Sequence, residues 1–284
     1  MGRIMLNRKD LRILDVLDKE PNINTNKLAK KVGISRQVAE YRLKKLLNQK
    51  TIYAFYTLVD VGKLGYSLFR VHFRLKNVTK EVYTKFAREL FSQYPSMWVA
   101  FVSGTFDLMY DIFAKNPNEF NSLISEIIQK NNKIIQSYET LIALNISNYK
   151  YGYFLKEDTD RKETKFNINT TNIILLDQKD KEILQQLKLN SRAPYEAIGK
   201  KVNLTRNAIK NRIQKLEEME VIIGYTMLIN FSHLSKQSFK IFIRYNNLKR
   251  AQEKYLLEYL KTTPGILFTL QLIGKWDLDV EIHK

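Results

Sequence analysis

The chain has 284 residues, 44% of them hydrophobic, and its 47 lysines and arginines outnumber 29 acids to leave a formal charge of +18. That length supports two or more cores, and the surplus favours a polyanionic partner, nucleic acid first among them. With no cysteine, disulfides, thiolate catalysis and cysteine-based zinc sites are excluded. Residues 1–6 are too short and mixed for a signal peptide, and no uncharged apolar run approaches the roughly 18 residues of a membrane helix. A cytoplasmic protein without a membrane partner is expected, and Asn-X-Ser/Thr triplets such as Asn169-Thr170-Thr171 are then chance matches.

Leu11, Ile13, Leu14 and Leu17 have helical spacing over residues 10–17, and Pro21 stops the segment. Thr25 and Asn26 can cap a short helix over 27–32 that ends in Lys30-Lys31, just before Gly33. Ser35 then caps a third helix running to about Asn48. Its apolar side is Val38, Ala39, Leu43, Leu46 and Leu47, which leaves Gln37, Glu40, Tyr41, Lys44 and Asn48 in front. Residues 51–59 are β-branched and aromatic, so a strand or hairpin follows and completes a winged helix-turn-helix.

A glycine-flanked seam over 60–65 leads to a different texture. Strand patterns at 67–75, 97–103, 108–115 and 138–146 enclose helical patterns at 80–93 and 120–128. The order β-α-β-β-α-β is ferredoxin-like. Residues 156–165 mix charges with almost nothing apolar and read as a linker.

The pattern then repeats at an offset of 170: Asp180 falls on Asp10, Arg206 on Arg36, Arg212 on Arg42, Leu216 on Leu46 and Ile222 on Ile52. The same offset brings Gly274, Trp276, Asp277 and Leu278 onto Gly104, Phe106, Asp107 and Leu108. The chain is an internal duplication. The fold class expected is α+β, with winged helix-turn-helix domains (1–62 and 173–232) alternating with ferredoxin-like domains (63–153 and 233–284), joined by a linker at 154–172. The second ferredoxin-like domain is expected to be incomplete, lacking the helix and strand that follow its third strand.

Two motifs, in this order and twice over, resemble the Lrp/AsnC family of transcription regulators. Leu176 to Leu187, Ser191-Arg192-Ala193, Val202 to Thr205 and Arg212 to Glu217 resemble its DNA-binding half, and Gly104 to Asp107 and Gly274 to Asp277 resemble the Gly-x-x-Asp turn of its ligand-sensing RAM domain. Lys50 and Glu220 stand where the family usually has a glycine, and Asn203 replaces Gly33. The family forms homodimers through its sensing domains. The resemblance therefore implies that one chain supplies both halves of a pseudo-dimer on double-stranded DNA at an imperfect palindrome, leaving room for further homo-oligomerisation. It also implies a small effector, such as an amino acid, at Gly104, Thr105, Asp107, Gly274 and Asp277. A tight connection with no ligand is the competing reading of those turns.

Residue chemistry nominates the DNA contacts. Arg36 and Arg206 lie in first turns, where a cation opposes the helix dipole unless an anion compensates it, and phosphate is the anion expected. Gln37, Tyr41 and Lys44, matched by Asn207, Asn211 and Gln214, form the base-edge or groove candidates, a solvated face with no partner being the competing reading, and Lys210 joins the DNA-binding set on the same front. Lys30, Lys31, Lys200 and Lys201 suit phosphate or a helix C-terminus, and Ser35 and Thr205 complete the set. Arg42 and Arg212 are expected to pair with an acid of the first helix.

No catalytic residue, metal or cofactor is expected, because no nucleophile elbow, phosphate-binding glycine loop or His-Glu-x-x-His helix is present. Siroheme decarboxylases share this architecture and form the enzyme alternative, but His72, His233 and His283 are unmatched by the repeat and are read as structural. A sequence-indifferent architectural DNA binder is the third reading.

Overall fold

A computed structural model describes residues 6–76, 78–155, 161–168 and 172–284. Helices α1 (Arg8–Lys19), α2 (Thr25–Val32) and α3 (Arg36–Asn48) precede strand β1 (Ile52–Val59). Then come β2 (Ser67–Leu75), α4 (Lys80–Gln93), β3 (Ser96–Phe101), β4 (Leu108–Ala114), α5 (Pro117–Lys130) and β5 (Ile135–Tyr149). After β6 (Glu163–Asn167), the second copy runs α6 (Gln178–Leu189), α7 (Tyr195–Val202), α8 (Arg206–Glu218) and β7 (Ile222–Ile229). It continues as β8 (Ser238–Ile243), α9 (Arg250–Thr262), β9 (Ile266–Ile273) and β10 (Leu278–His283). The α+β class and the β-α-β-β-α-β order of the first ferredoxin-like unit hold.

Local chemistry explains the helix starts. Asn7 and Asp10 form a reciprocal capping box on α1. The cap of α2 is Asn24, whose carboxamide oxygen accepts from Lys27 N at 2.9 Å, rather than Thr25 or Asn26. The helix therefore starts two residues earlier than the apolar spacing suggests. Gly33 (φ 74°) and Asn203 (φ 55°) end α2 and α7 in the left-handed region, and Lys50 (φ 57°) and Glu220 (φ 53°) occupy it too. The backbone shape that a glycine would favour at these last two positions is thus kept by residues with side chains.

The strand after each head pairs across the duplication. β1 and β7 run antiparallel, with Phe55 opposite Met227 and Thr57 opposite Tyr225. Met227 and Ile229 are buried with Ile13, Leu14 and Leu17 in the core of the first head, while Val59 and Leu64 pack against that of the second. Each head is completed by the other half's chain. The heads also touch directly: Ser191 Oγ donates to Asn22 Oδ1 at 2.9 Å, and the Arg192 guanidinium donates to the Pro21 carbonyl and lies 4.9 Å from the Phe55 ring.

Both ferredoxin-like units share one antiparallel sheet in the order β3-β4-β2-β5-β9-β10-β8. The fifteen-residue β5 is the join: its first half pairs with β2 and its second half with β9, Ile142 facing Ile273 and Asn148 facing Phe268. The stretch expected as a linker, 154–172, contains β6, which pairs with β5 from Asn145 opposite Asn167 to Tyr149 opposite Glu163. Its apolar residues Phe166 and Ile168 are buried in the sheet's cluster, and the Arg161 guanidinium binds the carbonyls of Lys150, Lys261, Thr263 and Ile266. Residues 156–160 and 169–171 of that stretch lie outside the described residues.

Helix cover differs between the two units. Phe69 and Val71 of β2 are 3% and 0% exposed, with Phe69 stacked on Phe120 of α5 at 4.2 Å. Their counterparts in β8, Phe239 and Ile241, are 47% and 45% exposed.

Candidate nucleic-acid interface

Helices α3 and α8 are built alike. Ser35 Oγ accepts from Val38 N at 3.3 Å, and Thr205 Oγ1 accepts from Ala208 N at 3.2 Å. Ala39 and Leu46, like Ile209, Ile213 and Leu216, are buried in the heads. Arg42 donates to Asp10 at 2.8 Å, and Arg212 to Asp177 and Asp180 at 2.6 and 2.7 Å, so both arginines tie their helix to the first helix of the head, as the sequence leads one to expect.

Gln37, Tyr41 and Lys44 recur at helical spacing and are exposed, and Asn207, Asn211 and Gln214 occupy the same three positions in the second copy. Each head therefore presents one stripe of hydrogen-bonding side chains to solvent, backed by a fixed apolar face. Amides can pair bidentately with adenine, and a lysine reaches guanine or phosphate.

The cations around the stripes are not equivalent. Lys30 and Lys200 are exposed, Lys31 pairs with Glu20, and Lys201 donates to Gln186 at 2.9 Å. Lys44 pairs with Glu40 one turn away at 3.2 Å. Lys210 is exposed on α8. Arg206 is held by Glu196 at 2.8 Å, so in this copy a carboxylate takes the compensating role expected of phosphate.

The Gly-x-x-Asp turns are tied into the sheet. Asp107 Oδ2 accepts from Leu75 N at 2.8 Å, and Asp277 Oδ2 accepts from Tyr245 N at 2.6 Å. Both carboxylates thereby fasten the turn to the end of the preceding β2 or β8. Gly104 adopts φ 131° and Gly274 φ 142°, which a side chain would disfavour. Gly104 and Thr105 border a cleft of about 370 Å³ with His72, Arg74, Tyr138 and Glu139. Gly274 and Asp277 do not line it, although Lys275 reaches across to pair with Glu139.

Between the two units lies a buried charge cluster that sequence reasoning missed. Arg70 donates to Asp111 at 2.7 and 2.6 Å and to Asp279, and Lys240 pairs with Glu281 at 3.0 Å and Asp279 at 3.5 Å. The aromatic rings of Trp98 and Phe268 flank both cations. Burial opposes the Arg70 charge, but Asp111 and Asp279 outweigh it and raise its pKa. Burial likewise opposes ionisation of Glu281, and Lys240 and His283 more than offset it. The signal was in the repeat, since the offset that aligns Arg36 with Arg206 also aligns Arg70 with Lys240, Asp111 with Glu281 and Trp98 with Phe268.

The three histidines lie in different surroundings. His233 bridges Thr51 and Asn230 at 3.1 and 3.0 Å, and His283 contacts the Tyr153 hydroxyl at 2.9 Å. His72 is fully buried against Phe106 and Phe242, and its ring nitrogens make no hydrogen bond among the described residues. No group of three or more metal-ligating side chains occurs among the described residues.

Residues 6–52 match the family model for a winged helix-turn-helix DNA-binding domain, and residues 176–217 match that for the AsnC-type helix-turn-helix domain. An HTH-type transcriptional regulator of Pyrococcus furiosus is 29% identical over 110 residues, 38% of this chain and 73% of that protein. One from Pyrococcus abyssi is 46% identical over 57 residues, 20% of this chain and 37% of its own length. Among solved structures, the siroheme decarboxylase NirDL aligns with 98% of this chain and 82% of its own at a TM-score of 0.60 and 13% identity, a likeness of fold.

Proposed function

We propose that the chain is a sequence-specific DNA-binding transcription regulator of Lrp/AsnC type, a reading supported by its two helix-turn-helix matches and by the Pyrococcus regulators it resembles. One chain acts as a pseudo-dimer, its two stripes reading half-sites about one helical turn, or 34 Å, apart. The observation that carries this reading is the pair of exposed, hydrogen-bonding stripes at matched positions on two capped helices. The cytoplasm is its proposed place, and a small effector such as an amino acid is its proposed modulator, bound beside Gly104 and Thr105.

Competition gel shifts at a stated salt concentration test the proposal. A preferred site should bind at least about 10³-fold more tightly than bulk DNA, and near equality would favour an architectural binder instead.

A second reading, an enzyme acting on siroheme, is favoured by the fold shared with the decarboxylase along 98% of this chain. Adding siroheme to the purified protein should leave its absorption spectrum unchanged under the regulator reading. A shifted spectrum with loss of carbon dioxide would establish the enzyme.

A further inference from the structure

We infer that the two heads hold DNA unequally: the first supplies the electrostatic anchor, and the second is a reader with little grip of its own. This rests on the DNA-binding reading and assigns each half of the interface a separate task.

Charge shows the division. Over residues 25–50, which span α2, α3 and the turn into β1, eight lysines and arginines face one glutamate, a net +7. Over residues 195–220, the matching span, six cations face four glutamates, a net +2. All four of those glutamates are exposed. Glu196 stands where the first head has Asn26 and holds Arg206 at 2.8 Å, at the N-terminal end of α8. Glu217 and Glu218 replace Leu47 and Asn48. Glu220 replaces Lys50 in the same left-handed backbone conformation and pairs with Lys63 at 2.7 Å.

Phosphate attraction falls with each acid set near the duplex, and each lost phosphate contact removes about 0.9 from the slope of log affinity against log salt. The second head is thus poor in the sequence-independent part of binding. Beside the exposed Lys200 and Lys210, what it retains is an uncharged stripe: Asn207, Asn211 and Gln214 on one face. Carboxamides discriminate adenine through paired hydrogen bonds without needing a net charge. The first head has Tyr41, 68% exposed, and Val38, 37% exposed, beside its cations, and those apolar surfaces suit a thymine methyl.

Salt titrations of the full chain on its selected duplex, read by fluorescence anisotropy, test the inference. Lys30→Ala with Arg36→Ala should weaken binding more than tenfold near 0.15 M salt and flatten the slope by about 2. The matched pair, Lys200→Ala with Arg206→Ala, should cost less than about threefold and flatten the slope by under about 1. Glu196→Asn with Glu220→Lys installs the first head's residues and should strengthen binding and steepen the slope. Equal losses from the two alanine pairs, or no gain from the last variant, would overturn the inequality while DNA binding stood. Absence of any binding by the wild-type chain would instead remove the reading beneath it. Circular dichroism of each variant confirms that the head has folded.

Discussion

The two halves of this chain agree inside and part company outside. Between the two units the cation, its acid and its flanking ring recur at the same offset, as fully buried Arg70 or half-buried Lys240, Asp111 or Glu281, and Trp98 or Phe268. On the surface, matched spans differ by five charges, and one pair of matched apolar strand residues is covered while the other is open. A buried charge demands its partner, so its replacement must preserve sign and hydrogen bonding. A solvated position has no such constraint, and the two heads are free to specialise. Asp279 is the exception within, because Met109 stands at its counterpart. It serves both Arg70 and Lys240 and makes the centre asymmetric.

The largest break in this comparison should come from Arg70→Met, which leaves Asp111 and Asp279 buried without the guanidinium. A loss of about 4–5 kcal/mol is expected in urea unfolding, the upper end for removing one partner of a buried pair. Lys240→Met should cost roughly half as much, because Glu281 keeps His283 at 3.3 Å. Equal losses would mean that the two cations are interchangeable after all.

His72 sharpens the comparison on the acid side, since Phe242 stands at its counterpart. Burial, with Arg70, Lys240 and Lys275 nearby, pushes His72 down to about 3 from an ordinary 6.5. The unfolded chain therefore binds a proton between those values that the folded chain does not, and stability contributed by the neutral ring falls as pH drops through that window. His72→Phe should abolish this dependence, worth roughly 3 kcal/mol by pH 4, measured as the difference between wild-type and variant unfolding curves from pH 7 to 4. Parallel curves would show that the ring is not desolvated.

The smallest effect separates covered from open strand residues. Phe69→Ala should cost about 3 kcal/mol, by loss of its stacking and burial under α5, whereas Phe239→Ala should cost under about 1 kcal/mol at a half-exposed site. Comparable losses would mean that the β8 face is covered in solution.

What was legible in the sequence was local. Ser35 and Thr205 announce their helices because a hydroxyl at an N-cap is a one-turn interaction, and Arg42 and Arg212 could be paired because both lie at the margin of an apolar arc. What was hidden was pairing at long range. Arg70 meets Asp279 across 209 residues, and β1 meets β7 across about 170. No periodicity within either segment encodes such partners. Strand β6 escaped because Glu163 and Lys165 give its stretch a solvated texture, while the burial that holds it falls on two residues, Phe166 and Ile168.

The crossed ribbon of β1 and β7 carries one last consequence. With each head finished by a strand that began in the other half, neither can swing outward without stripping Met227 and Ile229, or Val59, from apolar surroundings. On the proposed DNA-binding reading the two heads form a rigid gauge, and inserting half a turn of DNA between the half-sites should carry one of them round to the far side of the duplex and abolish simultaneous contact.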